Sequence, residues 1–401
     1  MQDLTGSNAN QIVDTTAPRL DWLDGIRALA AGFVVLHHIW LMTYGGYPGN
    51  NGPWITDLLV YGHLAVSVFI VVSGFSLTLS PANHEMRLKG GAYNFLHRRF
   101  WRIVPPYWAA LLISVIFILS GVIDSPDGSP LRGEDFIIHL LLMQDAIGNN
   151  SPNGVFWSIA VEWHIYFVFP FILLSIRKFG IAFTTLFVLF LVVVQYTAGY
   201  LIPALEALNR FSPVYLVLFT AGACAALLSH HGQAARTCVL AAVLLASGFV
   251  LTAILFRSTW IVSQYFWVDL AVGGAAAALM AALGQGSLPG VIRLLSTRPL
   301  VFTGQFSFSL YLVHGPVLEA LRVHLLAPLG LAAPTAFWIL AATGIPAALG
   351  FAYLFFLVCE RPFLTIRSFR QLVAAVRGGM RQCAGYGFRS ISNLRIMGRR
   401  I

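Results

Sequence analysis

Apolar segments near the length of a membrane span recur along almost the whole of this 401-residue chain. Hydrophobic residues make up 58% of the sequence and charged residues only 10%, with a mean hydropathy of +0.76. This composition excludes an ordinary soluble domain, in which about a quarter of the residues are charged. A stretch of about 20 apolar residues is long enough to cross the hydrocarbon core as a helix. The sequence therefore predicts an all-α polytopic membrane protein.

We predict a bundle of about ten transmembrane helices, and the charges between them indicate its orientation. Connection 81–102 is basic, whereas connection 123–153 holds five acidic residues and one arginine. Basic connections alternate with acidic or sparsely charged ones, as the positive-inside rule requires for an even number of spans with both termini cytoplasmic. We expect the chain to be a multi-pass protein of the inner (plasma) membrane. The predicted helices are 26–43, 58–80, 103–122, 154–176, 180–200, 213–230, 236–256, 264–284, 300–324 and 335–358.

Three parts follow from the distribution of charge. Residues 1–25 form a polar, predicted cytoplasmic segment without the basic start and small-residue cleavage site of a signal peptide. Residues 26–362 form the transmembrane domain. Residues 363–401 form a basic cytoplasmic tail: nine of the 25 basic residues lie within 361–401, which leaves 16 to balance 16 acidic residues. Such a tail favours contact with anionic lipid over nucleic acid. The four cysteines show no spacing typical of a zinc site or disulfide framework.

The first predicted helix carries ionisable residues at a depth where they are costly. Arg27 and His38 are eleven residues apart, about three helical turns, so they share a face and lie about 16 Å from each other. Ionisable groups within a membrane usually line a functional site or an aqueous path. The alternative is that His37 and His38 only pack against neighbouring helices through bonds to backbone carbonyls.

A basic and aromatic stretch, HRRFWRIVPPY at 97–107, lies at the cytoplasmic boundary of the third predicted helix. Arg99 and Arg102 are three residues apart and share one helix face. Arginine forks bind phosphate bidentately, so this stretch is a candidate anion site, with ordinary interfacial anchoring as the alternative. In the second helix, small residues at 72–75 lack the spacing of a nucleophile elbow, which favours close helix approach instead.

A polar stripe marks the fourth predicted helix. Ser158, Glu162 and Tyr166 recur every four residues in an otherwise apolar span. Counted from the outer end of that helix, Glu162 lies about 13 Å deep, a level similar to that of His38. A carboxylate and an imidazole at one depth could form the pair that orients a general base. The contact itself is an inference from depth.

The last two predicted helices contribute further polar residues. Ser307, Tyr311 and His314 fall within two turns of each other. Polar contacts between helices account for Ser307 and Tyr311, while the role of His314 is open. At the end of the last helix, Glu360-Arg361-Pro362 is explained by a local ion pair and a helix stop.

These motifs, in this order, resemble the integral membrane acyltransferase family three, which includes bacterial O-acyltransferases of surface polysaccharides, glycolipids and macrolides. The resemblance runs from the first span to the last. It implies ten transmembrane helices and transfer of an acyl group from acyl-CoA to a hydroxyl. The matching segments are LDGIRALAAGFVVLHH (23–38), GHLAVSVFIVVSGF (62–75), RRFWRIVPPY (98–107), FWSIAVEWHIYFVFP (156–170), FSLYLVH (308–314) and ERP (360–362).

The resemblance also implies roles for residues. The family's Arg–ten residues–His motif falls on Arg27 and His38, and its Arg-x-x-Arg motif falls on Arg99 and Arg102. The Trp-Ser-x-x-x-Glu element falls on Trp157, Ser158 and Glu162. Departures are mild: Ala28 stands where glycine is common, and Val72 where leucine is common. The soluble extracytoplasmic domain of some members is missing from this sequence, which leaves room for a separate extracytoplasmic partner.

On this resemblance, cytoplasmic acyl-CoA, acetyl-CoA first among the candidates, is the donor substrate, and we predict no metal and no resident cofactor. Arg99 and Arg102, with Arg98, would hold its phosphates, while Arg27 would bind the donor or bias the helix end. His38 would act as general base or be acylated itself, and Glu162 would fix its tautomer or position the acceptor. Expected supporting residues are His37, Ser158, Tyr166, His314 and Tyr311.

The acceptor is expected to be a cell-envelope carbohydrate or glycolipid, with a macrolide-type metabolite as the second option. Acyl chain length is left open. A secondary transporter is the rival interpretation, because it also explains buried charges and ten spans. It predicts interrupted helices at matching positions in two halves of the chain, and the sequence lacks such a pair.

Overall fold

The computed structural model describes residues 20–125, 128–148, 150–232 and 234–368, together with Gln371 and Val373. Helices dominate these residues and no strand occurs among them, which confirms the all-α prediction. Most of the predicted segments 1–25 and 363–401 lies outside the described residues, so the expectations for both segments stay predictions, as does the orientation of the termini.

The α-helices follow one another with short connections. Three of the connections contain 3₁₀ segments: Trp54–Tyr61 before the second helix, Pro203–Phe211 before the seventh and Ala327–Leu329 before the fourteenth. The helices are α1 (Asp21–Tyr44), α2 (Leu64–Ala82), α3 (Gly91–Leu119), α4 (Gly133–Leu140), α5 (Gln144–Ile147), α6 (Phe156–Leu201), α7 (Val214–His231), α8 (Ala235–Leu255), α9 (Ser258–Ser263), α10 (Tyr265–Gly284), α11 (Pro289–Leu295), α12 (Arg298–Gln305), α13 (Ser307–Leu321) and α14 (Ala333–Phe355).

Eight segments of the described residues are long and apolar enough to cross a membrane. They are α1, α2, α3, α6, α8, α10, Ala204–His231, which includes α7, and Ala333–Leu364, which includes α14. Large apolar side chains remain exposed on α8 and on the second half of α6, where lipid would cover them: Phe183, Leu186, Phe190, Leu244, Leu251 and Ile254.

The longest helix, α6, contains two of the predicted spans. Gly180 leaves the helical region at φ 83° and ψ 165°. The Ser175 and Thr184 hydroxyls lie 2.8 Å apart across it, although nine residues of a straight helix would separate them by about 13.5 Å. The chain therefore reverses at Gly180, and α6 is a helical hairpin whose two arms match the predictions 154–176 and 180–200.

Two other predicted helices are corrected. The segment 300–324 is divided into α12, α13 and a π-helical turn, Arg322–Leu326. The division follows Gly304, where α12 lies so close to α1 that a Cβ would stand 2.1 Å from the Asp24 carbonyl oxygen. The third helix begins at Gly91, not at 103, because the basic stretch 97–102 continues the helix toward its amino end.

Helix α2 lies in the middle of one half of the bundle, packed along α7, which in turn packs on α10. Two glycines allow the close approach of α2 and α7. A Cβ on Gly74 would lie 2.0 Å from the Phe219 carbonyl oxygen, and one on Gly222 would lie 2.2 Å from the Val71 carbonyl oxygen. The interpretation of the small residues at 72–75 as a helix contact is confirmed. In the other half, α1 packs on α12, α13 and α14.

Candidate active site

Two histidines from different helices meet in the interior of the bundle. The ring of His38 on α1 lies 4.8 Å, centroid to centroid, from the ring of His314 on α13. His314 is fully buried, whereas His38 keeps part of its surface accessible. His314, whose role the sequence left open, therefore contacts His38 directly.

The hydrogen bonds of this pair fix the position of each ring proton. Nδ1 of His314 faces the carbonyl oxygens of Leu310 and Tyr311 at 3.0 and 2.9 Å, and Nδ1 of His38 faces the Val34 carbonyl oxygen at 2.9 Å. Carbonyls only accept, so both Nδ1 atoms carry hydrogen. Nε2 of His314 then accepts from Nδ1 of His38 at 3.3 Å.

This assignment leaves Nε2 of His38 with a lone pair. That atom has no hydrogen-bond partner among the residues that the structure describes. A neutral imidazole with one nitrogen bonded and the other open can accept a proton. The arrangement can therefore serve as a general base.

His37 has a different environment. Its Nδ1 lies 2.6 Å from the Leu59 carbonyl oxygen, and its ring packs on Gly62, where a Cβ would stand 2.1 Å away. His37 thus joins α1 to the 3₁₀ segment before α2. Its ring also lies 5.2 Å from that of His38, so His37 stands beside the pair, and its supporting role stays a prediction.

The polar stripe of α6 faces the interior as predicted. The Ser158 hydroxyl is 2.7 Å from the Tyr311 hydroxyl of α13. The Tyr166 hydroxyl donates to Glu162 and lies 3.2 Å from the Ser73 hydroxyl of α2. The stripe therefore links α6 to both halves of the bundle.

The expected pairing of Glu162 with His38 is not what the structure shows. Glu162 bonds to Tyr166, one turn further along the same helix, and His38 bonds to Val34 and His314. The depth argument placed Glu162 and His38 at one level but could not tell which helices adjoin. The side chain that contacts Nδ1 of His38 in the structure is His314.

A cluster of guanidinium groups, which we call the arginine cluster, consists of Arg27, Arg99 and Arg102. Arg27 donates to Asp24 at 2.9 Å and to the Ser76 hydroxyl of α2 at 2.8 Å. Arg102 lies within electrostatic range of the other two. The two predicted motifs, on α1 and α3, therefore come together.

The two cluster arginines of α3 have carboxylates within electrostatic range, Glu162 for Arg99 and Glu360 for Arg102. The Arg99 guanidinium lies over the rings of Phe95 and Tyr166, 5.7 and 5.9 Å from their centroids, and its buried Nε has no hydrogen-bond partner. Arg102 is exposed. Neither residue forms a salt bridge within the described part of the chain. Their N–H groups are free to bind an anion.

Arg98 borders the cluster and lies within electrostatic range of Arg99. It is half-buried and donates to the Lys89 carbonyl oxygen at 3.4 Å, just before the start of α3. Its expected part in the anion site stays a prediction.

Glu360 is also corrected. The prediction of a local ion pair between Glu360 and Arg361 is wrong. Glu360 is buried and accepts a 2.5 Å hydrogen bond from the Ser309 hydroxyl, while Arg361 is exposed. Glu360 is within electrostatic range of Arg102.

Ser307 bonds locally to the Gly304 carbonyl oxygen at 3.0 Å. Within the described ranges, no group of three or more His, Cys, Asp or Glu side chains is placed to hold a metal ion.

Sequence reasoning missed a second polar cluster, around Asp269 on α10. Its carboxylate meets Nε2 of His63 at 3.1 Å and the Ser67 hydroxyl at 2.6 Å. The missed signal was plain: Asp269 is a lone carboxylate within the apolar segment 264–284, and such residues are rarely incidental.

The sequence profile described as "Acyltransferase domain" matches residues 20–357, which include every helix described above. The chain belongs to this acyltransferase family. The family match favours an acyltransferase over the rival transporter. With its long apolar helices, the chain is a multi-pass membrane protein.

Curated relatives agree with the family. The chain is 29% identical to Acyltransferase MdmB of Streptomyces mycarofaciens over 75% of its own length and 79% of the relative's. It is 25% identical to O-acetyltransferase OatA of Staphylococcus aureus over 75% of its length, but this covers only 51% of that protein. Peptidoglycan O-acetyltransferase OatA of Listeria monocytogenes is 29% identical over 39% of the chain and 24% of the relative. No solved structure matches the chain.

Proposed function

We propose that this acyltransferase moves an acyl group, in the first instance acetyl, from acyl-CoA to a hydroxyl, with Nε2 of His38 as general base. The observation that carries the proposal is the open nitrogen of His38. His314 and Val34 occupy its Nδ1, and the remaining lone pair has no partner among the described residues.

The arginine cluster supports a phosphorylated donor. Arg99 and Arg102 present guanidinium donors that no carboxylate binds, and Arg27 is held beside them by Asp24 and Ser76. Guanidinium forks bind phosphate oxygens through paired hydrogen bonds. The nucleotide of acyl-CoA carries such phosphates, so it would bind at the end of the bundle where α1 begins, with its thioester directed toward His38.

The chemistry is a transfer between an alcohol and a thioester. The acceptor hydroxyl attacks the thioester carbonyl carbon, and Nε2 of His38 takes its proton. The carbon–sulfur bond breaks, and coenzyme A leaves with the proton returned to its sulfur. General-base assistance of this kind contributes about 10²- to 10⁴-fold in rate. A route through an acylated His38 would use the same nitrogen.

We propose a cell-envelope carbohydrate or glycolipid as the acceptor and the inner membrane as the location. Two of the relatives are named for O-acetyl transfer, one of them to peptidoglycan. A macrolide-type acceptor is the second candidate.

The donor assignment is tested by removing one phosphate from the donor. We would measure binding of acetyl-CoA and of acetyl-3′-dephospho-CoA to the purified protein in nanodiscs. The wild type should bind the dephospho donor at least about tenfold more weakly, since a hydrogen-bonded charge pair is lost. In Arg99→Ala or Arg102→Ala this preference should shrink, because the group that reads the phosphate is gone.

Arg87→Ala is the matched control. It removes an exposed arginine that faces Glu85 at 3.7 Å in the connection before α3, so the preference for the 3′-phosphate should stay within about twofold of wild type. Equal binding of both donors by the wild type would overturn phosphate recognition by this cluster. Absence of acetyl-CoA binding would overturn the donor itself.

A further inference from the structure

A histidine–carboxylate pair lies at the amino end of α2. The function proposed above uses neither residue of this pair. Nε2 of His63 is 3.1 Å from one oxygen of Asp269, and the Ser67 hydroxyl donates to the other at 2.6 Å. The Tyr215 hydroxyl lies 2.8 Å from the same Nε2. Asp269 is almost fully buried, with 2% of its surface exposed.

The pair fixes the tautomer of His63. Because the carboxylate only accepts, Nε2 carries hydrogen, and in the neutral imidazole Nδ1 then carries the lone pair. Nδ1 has no partner among the described residues, and 23% of the His63 side chain is accessible. The ring thus presents one open hydrogen-bond acceptor, held in place from behind by a buried charge.

Two aromatic rings lie parallel to the His63 ring. The Tyr265 ring lies 4.2 Å from it at an interplanar angle of 4°, and the Trp157 ring lies 5.4 Å away at 9°. Both residues are only partly buried. Small-molecule sites combine aromatic surface with a few placed polar groups, and a sugar ring offers C–H groups to the first and hydroxyls to the second.

Side-chain contacts connect the stack of His63, Trp157 and Tyr265 to the His38–His314 pair. The Tyr265 hydroxyl is 3.2 Å from the Tyr47 hydroxyl, and the Tyr47 ring packs 6.2 Å from that of His37, the neighbour of His38. On the other side, Trp157 precedes Ser158, which bonds to Tyr311. Two side chains, Tyr47 and His37, therefore connect Tyr265 to His38.

We infer that His63, Trp157 and Tyr265 form the subsite for the sugar ring of the acceptor. Nδ1 of His63 accepts a hydrogen bond from a hydroxyl that does not react, and Asp269 positions the imidazole. This contact determines which other hydroxyl of the ring faces His38. The inference rests on the proposed function for its context, but its test measures acceptor binding alone.

The test compares a sugar-bearing alcohol with a plain one of equal chain length. Binding of radiolabelled octyl β-D-glucopyranoside and of 1-octanol would be measured on the full chain in nanodiscs. We expect the wild type to bind the glucoside more tightly. His63→Gln should weaken glucoside binding about fivefold, as expected for one hydrogen bond, and leave octanol binding unchanged.

Two further variants separate recognition from folding. Asp269→Asn should weaken glucoside binding less than His63→Gln does, because the imidazole remains but loses its charged partner. His231→Gln, an exposed histidine at the end of α7, should change nothing. No preference for the glucoside in the wild type, or an equal loss for both ligands in His63→Gln, would overturn the subsite. Absence of acetyl-CoA binding by the wild type, measured on the same samples, would count against the donor proposal and not against the subsite.

Discussion

At the scale of the residue, the chemistry proposed for His38 depends on its contact with His314. Without His314, the Nδ1 hydrogen of His38 would still bond to the Val34 carbonyl oxygen, but the ring would lose the neighbour that faces it at 3.3 Å. The proposed base and its proposed orienting partner come from α1 and α13, so the pair forms only when these helices are packed together.

We therefore expect different outcomes for the two histidines. His38→Ala should lower the turnover number for acyl transfer by about 10²- to 10⁴-fold, the usual contribution of a general base. His314→Ala should lower it less, and His314→Gln should recover part of the loss because its amide oxygen still accepts a hydrogen bond. Turnover by purified protein checks this, with size-exclusion chromatography confirming a folded protein. Equal loss in His314→Ala and His314→Gln would contradict an orienting role through a hydrogen bond.

Some of these residues could be predicted and others could not. The eleven-residue spacing put Arg27 and His38 on one face, and the four-residue spacing put Ser158, Glu162 and Tyr166 on another, because both are properties of a single helix. The partner of His38 depends on which helices adjoin, and spacing along one helix carries no information about that.

At the scale of the element, Gly180 turns one long helix into two spans. Its φ of 83° and ψ of 165° lie in a region that is essentially restricted to glycine. A Cβ there would meet no atom within 4 Å, so any cost of a side chain comes from the backbone alone. The sequence predicted the two arms of the hairpin from their hydrophobicity.

Gly180→Ala should therefore lower the free energy of unfolding by about 1–3 kcal/mol through backbone strain. Gly248→Ala is the matched control, since Gly248 lies in the interior of α8 and a Cβ there also meets open space. That substitution should be neutral or stabilising, because alanine favours helix. Thermal unfolding in detergent checks both, and a Gly180→Ala protein as stable as wild type would show that the reversal does not require glycine.

Other elements show where hydrophobicity fails as a guide. The amino-terminal turns of α3 are basic and lie outside the predicted helix 103–122, although arginine is a good helix former. The break between α12 and α13 follows from the tight contact of Gly304 with α1, which is tertiary. Hydrophobicity locates the apolar part of a helix, while caps and breaks depend on polar residues and on neighbours.

At the scale of the whole molecule, the polar groups form levels along the bundle. The arginine cluster lies where α1 begins, the histidine pair lies deeper, and the His63 stack lies beyond it, near the end of α1. A donor and an acceptor that approach from opposite ends would meet at His38. Acyl-CoA is made in the cytoplasm, so this arrangement requires the arginine cluster to face that side.

The orientation can be tested with two cysteines at opposite ends of α2. Trp54, in the 3₁₀ segment before α2, is 83% exposed, and Ser80, near its other end, is also exposed. By the positive-inside rule, Ser80 and the basic connection after it should be cytoplasmic. In intact cells, a membrane-impermeant maleimide should label Trp54→Cys, and it should label Ser80→Cys only after lysis. The background is a chain whose native cysteines are replaced by alanine: Cys224, Cys238, Cys359 and Cys383. The reverse pattern would place the arginine cluster outside the cytoplasm, away from acyl-CoA, and the donor assignment would fail with it.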